Sequence, residues 1–421
     1  MARTLAALVS AALVLAACVD AANPHNGTDP VSTETSDDTA RDAISASPPS
    51  VSSPGSAREP IQASSEGCEP GEFYFDQEDC DPAHSIPLTQ IFADGPPPDG
   101  IPPIDDPVFE SIDAAGDWLE PTSPVMVVDV DGDARAYPLA ILNWHEIVND
   151  EVAGRPLVIT YCPLCNSALV FDRTVEGPDG PEVLDFGTSG RLYLSNLVMY
   201  DRQTRSLWTQ FDGEAVVGEP WLGTQLDRLP AWLLGFAEFT DLHPDGQVLS
   251  RETGYLRAYG QNPYVGYDGE DRPRPFLFRA QPDDRFAPMT RFVGVVDGDE
   301  ATAISLELLA EERLVTTRLG ADDIVALWAP GQSSALDTQV IDEGRDVGQT
   351  AVFRLALDGA ELELEATDDG FMDAASGSTM DLRGRFIDGP LEGRAMEAIP
   401  HDDTFWFVWA AFRPDTEVVG P

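Results

Sequence analysis

The chain has 421 residues, 25 Lys+Arg against 74 Asp+Glu, and a formal net charge of −49. Every basic residue is arginine, because no lysine occurs. That charge repels phosphate backbones and anionic headgroups, which excludes nucleic-acid binding and charge-driven membrane association. The lack of lysine excludes Schiff-base chemistry and a lysine base. Hydrophobic residues make up 43%, an ordinary globular share, so the acid is layered on a normal core.

Residues 1–17 read as an export signal: Arg3, a largely apolar run Leu5–Ala17, then Cys18. The run is too short to span a bilayer. Leu15-Ala16-Ala17-Cys18 resembles the bacterial lipobox. That resemblance implies lipidation of Cys18 and a mature protein anchored to the cell membrane or outer membrane, facing outside the cytoplasm. The membrane, through this anchor alone, is the only partner the sequence predicts. Residues 18–66 are rich in Ser, Thr, Asp and Pro, without aromatics or apolar periodicity, and read as a disordered tether. Residues 67–121 form an N-terminal arm in which Cys68 and Cys80 close a short loop, a disulfide outside the cytoplasm.

The rest of the chain carries an internal duplication. Ala134–Leu169 aligns without a gap onto Ala301–Leu336, with 10 of 36 positions identical. Asp131-Gly132-Asp133 and Asp297-Gly298-Asp299 precede the two copies. The copies span 122–250 and 288–421, with a connector at 251–287. In copy one, Val125–Val130 predicts a strand and Asp131-Gly132 a hairpin turn. A helix follows over 138–148, with Asn149-Asp150 as its terminating turn. Further strands are predicted at 157–161, 168–171, 183–186, 192–200 and 206–211, and a helix at 230–242. The fold class is strand-rich α+β, in two tandem related repeats of which the second is degenerate.

Cys162-Pro163-Leu164-Cys165 lies between two strand-like runs, the geometry of a metal knuckle. Asn166 after it tolerates the left-handed backbone such a turn needs. His145 shares a helix face with Leu142 and Val148. His145, Cys162 and Cys165 are thus three candidate ligands for copper or zinc, with an open fourth position. At the repeat offset they become Glu312, Ala329 and Gln332, so the fold does not require them. Two blander readings stand beside this one: a core histidine and a plain disulfide. Asn149, Asp150, Tyr200 and Gln210 are candidate pocket residues, and Asn196 is a weaker one. No nucleotide-binding motif occurs, so no nucleotide cofactor is expected.

Asn143-Trp144-His145-Glu146-Ile147-Val148-Asn149-Asp150, Tyr161-Cys162-Pro163-Leu164-Cys165 and Ser206-Leu207-Trp208 resemble domain-of-unknown-function family 3179. So does Asp99-Gly100-Ile101-Pro102-Pro103 upstream. The family pattern has Gly where this chain has Asn166. The resemblance implies an exported bacterial or archaeal protein and supplies no reaction, so whether the chain is an enzyme stays open. The leading expectation is a metal-binding envelope protein; the alternatives are a thiol–disulfide redox protein using Cys162 and Cys165, ranked lower because a strand and not a helix follows the first Cys, and a non-catalytic binding module using the aromatic segment Phe405–Trp409.

Overall fold

The computed structural model describes residues 82–93, 95–269, 275–368 and 370–420. Cys18, Cys68 and Cys80, with the lipid anchor and the disulfide expected of them, lie outside the described residues.

The N-terminal arm contributes two short strands, β1 (Ile91–Phe92) and β2 (Phe109–Ser111), and one helical turn, α1 (Ile112–Ala115). Ser111 caps that turn by accepting from the Ala114 amide. The first half then opens on the apolar run β3 (Pro124–Val130). Asp131 and Gly132 both take positive φ, 53° and 89°, and return the chain as β4 (Asp133–Pro138). This is the hairpin turn that Asp-Gly favours. Helix α2 (Leu139–His145) follows, shorter than the pattern suggested. Glu146 ends it in the left-handed region at φ 60°, and β5 (Ile147–Val152) begins at once. Asn149 and Asp150 therefore lie in a strand and not in a turn.

The hairpin β6 (Arg155–Cys162) and β7 (Ser167–Asp172) carries the Cys-Pro-Leu-Cys sequence at its tip. After a small hairpin, β8 (Thr174–Gly177) and β9 (Gly180–Val183), come β10 (Phe186–Tyr193), β11 (Asn196–Asp201), β12 (Leu207–Thr209) and β13 (Glu214–Val217). The half closes with β14 (Arg228–Leu229), β15 (Trp232–Gly235), helix α3 (Phe236–Leu242) and β16 (Gln247–Leu249). The predicted helix over 230–242 is thus a strand followed by a two-turn helix.

The second half opens with β17 (Arg291–Asp297), β18 (Glu300–Ser305) and α4 (Leu306–Glu312), whose N-cap Ser305 accepts from Leu308 N. Then come β19 (Leu314–Leu319), β20 (Asp322–Ala329) and β21 (Gln349–Arg354), and the small hairpin β22 (Ala356–Leu357) and β23 (Ala360–Glu361). A four-strand meander follows: β24 (Leu364–Thr367), β25 (Gly370–Asp373), β26 (Ser378–Met380) and β27 (Phe386–Asp388). Last come β28 (His401–Phe405), α5 (Trp406–Phe412) and β29 (Glu417–Val419).

The sheets run β15-β3-β4-β16-β2 in the first half and β28-β17-β18-β29 in the second. In each, the last strand joins in parallel, β16 to β4 and β29 to β18. The register from β3 to β6 and from β17 to β20 keeps a constant spacing along the chain. It breaks at the hairpin tip: residues 163–166 link β6 to β7, whereas residues 330–348 link β20 to β21. Ser334, Ala335 and Leu336, aligned above with strand residues 167–169, lie inside that longer loop. Burial alone would raise the Asp268 carboxyl, but Arg291, Ser334 and Arg345 bond to it and hold it below its usual range. Ser334 and Arg345 so fasten the loop to the connector, and Arg291 ties β17 to the same carboxylate.

Each half has a core largely its own, around Ile141 and Ile159 in the first and Ile304 and Ile324 in the second, and two further cores are shared. One core joins Cys162, Trp208 and Phe211 to Trp406, Trp409 and Phe412, with the Phe211 and Phe412 rings 4.7 Å apart. A second joins Val125 and Phe239 to Phe353 and Phe386. The segment Phe405–Trp409 is wholly buried in the first of these, in β28 and α5. Close packing there leaves Gly294 no room, since a Cβ would meet the Trp409 ring at 2.0 Å. Gly294→Ala is expected to lower stability by about 1–3 kcal/mol. An unchanged urea midpoint would contradict this packing.

Candidate functional site

Cys162 ends β6 and pairs with Ser167 at the start of β7. The turn between them is closed by Cys165 N donating to Cys162 O at 3.1 Å and Asn166 N to Pro163 O at 3.3 Å. Asn166 sits at φ 52°, as its position required. Its side chain does more than tolerate that angle. Tyr161 Oη donates to Asn166 Oδ1 at 3.2 Å, and Asn166 Nδ2 donates to Asp403 O at 2.7 Å. A glycine in this place would lose both bonds.

Both cysteines are free thiols, buried, with their sulfurs 3.3 Å apart. The Cys165 thiol points at Ser195 O, at 3.5 Å, and receives a bond from Asn196 Nδ2 at 3.5 Å. Burial, with Cys162 alongside, pushes the Cys165 thiol well above its ordinary range. Asn196 Nδ2 also donates to Gln210 Oε1 at 2.7 Å. Gln210 Nε2 donates to Thr160 Oγ1 at 3.0 Å and to Ser167 Oγ at 3.3 Å. Ser167 Oγ donates to Asp402 Oδ2 at 2.7 Å, and Ala168 N to Asp402 Oδ1 at 3.0 Å. Burial raises the Asp402 carboxyl to about 7 against the opposing pull of Ser167 and Arg228. The backbone of the turn is also held from the second half, since Thr404 Oγ1 and Phe405 N both donate to Cys165 O. Tyr267 Oη of the connector donates to Leu164 O at 2.9 Å.

His145 is buried, yet both of its ring nitrogens are engaged elsewhere. Nδ1 lies 2.6 Å from Pro102 O and Nε2 2.7 Å from Tyr259 Oη. A carbonyl only accepts, so Nδ1 carries the proton and Nε2 accepts from the tyrosine. Burial lowers its basicity. Among the described residues no group of three or more His, Cys, Asp and Glu is arranged to hold a metal ion. The structure therefore brings Cys162 and Cys165 together without His145. Next to it, Glu146 is fully enclosed, and burial lifts its carboxyl to about 8.

Of the pocket candidates, Gln210 and Asn196 belong to the network at the thiols. Asn149 bonds to Asp105 and to the backbone of Phe186, tying β5 to β10. Asp150 takes both oxygens to Arg135 at 2.8 Å and accepts from Tyr137 Oη at 2.6 Å. Tyr200 Oη donates to Asp99 at 2.7 Å. Asp402, Thr404 and Tyr267 were not anticipated. Nothing in their local sequence points to the turn, which lies more than 100 residues away along the chain.

The family described as "Protein of unknown function (DUF3179)" matches residues 98–416, and the chain belongs to it. No curated protein and no solved structure matches the chain.

Two outcomes are expected of these residues. Asn166→Ala keeps the strained backbone and orphans Asp403 O, so it should cost about 2–4 kcal/mol in urea unfolding, and Asn166→Gly less. The Glu146 carboxyl ionises near its ordinary value when unfolded but only near about 8 when folded. The folded state therefore holds the extra proton between those values, and stability falls as pH rises through them. Glu146→Gln should flatten that fall by about 2–4 kcal/mol between pH 5 and pH 8. Parallel curves for the two proteins would refute the assignment.

Proposed function

We propose that this member of the family is an exported, lipid-anchored thiol–disulfide redox protein whose reacting group is the Cys162/Cys165 pair. The observation that carries the reading is the 3.3 Å separation of two free thiols at one hairpin tip. A disulfide is about 2.05 Å long, so a small turn of the side chains closes it. The engagement of His145 by Pro102 and Tyr259 further supports a pair acting without a third ligand.

The Cys165 thiol is enclosed and held protonated, so Cys162 attacks first. Its thiolate displaces one sulfur of a partner disulfide, and that sulfur leaves and takes a proton. Cys165 then loses its proton and attacks Cys162 Sγ, and the second partner sulfur leaves and is protonated. Two electrons pass from the pair to the partner disulfide, and the reverse course oxidises a partner dithiol. Burial of Phe405–Trp409 leaves a binding module without its exposed aromatic surface.

We also read the two halves as tandem repeats, since, β14 apart, they share one order of elements from β3 to β16 and from β17 to β29. The second is the degenerate copy. Ala329 stands where Cys162 does, and residues 330–348 replace the turn that holds Cys165. The shared fold keeps its strands without the thiols, which supports a chemical role for them in the first half.

Equilibration of the mature protein in glutathione redox buffers, with mass mapping of the peptide that spans Cys162 and Cys165, tests the reading. The peptide should lose two hydrogens reversibly, and Cys162→Ser or Cys165→Ser should abolish the loss. A pair that never exchanges would sink it. So would copper or zinc retained stoichiometrically by the wild type and released by Cys162→Ser.

A further inference from the structure

Both sulfurs of the pair are buried, so a partner disulfide meets the chain around the turn before it meets them. The connector supplies much of that chain. Tyr267 Oη donates to Leu164 O, between the two cysteines, and Tyr267 and Phe278 share a core with both of them. Ser195, whose carbonyl lies 3.5 Å from Cys165 Sγ, donates from Oγ to Phe276 O at 2.7 Å. Glu146, whose carbonyl accepts from Tyr161 N, bonds through its carboxyl to Tyr264. The Tyr255 ring stands 5.5 Å from that of His145, the residue before Glu146.

While these groups face the turn, others of the same segment face solvent. Seven large hydrophobic residues are exposed among the described residues, and four of them lie in the connector: Tyr255, Leu256, Val265 and Phe276. Leu256 is 98% exposed. Scattered singly, such residues would need no explanation, but all four are next to, or are, the residues that reach the turn and His145. The charges differ from the rest of the chain as well. In segments 251–269 and 275–280 the exposed charged residues are Arg251, Arg257 and Arg279 against Glu252 alone, since Asp268 is buried. A chain of net charge −49 therefore shows a positive excess beside its thiols. Aromatic and aliphatic side chains among arginines, with few carboxylates, are the composition of a protein–protein contact.

We propose that the exposed side of the connector is the docking surface for the protein that exchanges electrons with the Cys162/Cys165 pair, and that this partner carries its disulfide on an apolar segment flanked by acidic residues. The inference rests on the redox reading of the pair. The apolar segment is the complement of Leu256, Val265 and Phe276, and the acidic flanks are the complement of the three arginines. Elsewhere the net charge holds an acidic protein off, so the arginines also direct it to the face beside the turn.

The test follows oxidation of the reduced mature protein by quenched alkylation and mass mapping of the peptide that spans the pair. Two oxidised peptides are the probes, each with one disulfide among leucines, flanked by aspartates in one and by arginines in the other. The small neutral 2-hydroxyethyl disulfide is the reference. The acidic peptide should react roughly tenfold faster than the basic one, and added salt should narrow that gap. Arg257→Glu should abolish or reverse the preference. Leu256→Ser with Phe276→Ser, both at exposed positions, should lower the ratio of the acidic-peptide rate to the reference rate about tenfold. Equal rates for the two peptides, or a ratio that the double variant leaves unchanged, overturn the docking surface. So does a dimer in sedimentation that Leu256→Ser dissolves, because a second copy then covers the face. A wild type oxidised by none of the three disulfides overturns the redox reading instead.

Discussion

The arrangement depends on one seam, where β28 of the second half lies against the start of β7 in the first. Five hydrogen bonds cross it within four residues of each strand. Asn166 donates to Asp403 O, Ser167 and Ala168 donate to Asp402, and Thr404 and Phe405 donate to Cys165 O. All are buried, so each would leave an unsatisfied group if the halves separated. The reciprocal seam, β15 against β21, is joined by Gly235 N donating to Gln349 Oε1 at 2.9 Å. The hairpin tip with the cysteines is therefore rigid because the other half of the molecule grips it.

This grip explains which features were legible in the sequence. Apolar runs and an Asp-Gly turn revealed β3, β4, β6 and β7, because those signals are local. The spacing of Leu142, His145 and Val148 fitted a helix, and it hid the fact that Glu146 takes a left-handed conformation and starts β5. Trp232–Gly235 is as apolar as the helix after it, so β15 merged into α3. The matching Ser-Ala-Leu triplets at 167–169 and 334–336 concealed the loop of residues 330–348. A coincidence of spacing mimicked a strand that in fact resumes at Gln349.

The candidate site was legible in the same uneven way. Cysteines three apart between strands announce themselves, and Asn166 announces the turn. The histidine next to a helix end looked like a ligand because periodicity places it inside. Periodicity says nothing about what it meets there, and Pro102 and Tyr259 reach it first. Asp402 carries no local mark, since its setting is made by residues from β6, β7 and β14. A carboxyl becomes interesting only when the fold removes its water.

That removal also gives the overall acidity a second meaning. Among the described residues most carboxylates are at least partly exposed, where their mutual repulsion is screened. Glu146 and Asp402 are enclosed instead, and burial moves both carboxyls into the range where proton exchange is fast near neutral pH. With no lysine and His145 engaged, few groups can exchange a proton there. Burial thus takes two members of the chain's most abundant charge type out of the solvated surface and makes both hold their protons more tightly than an exposed carboxyl does.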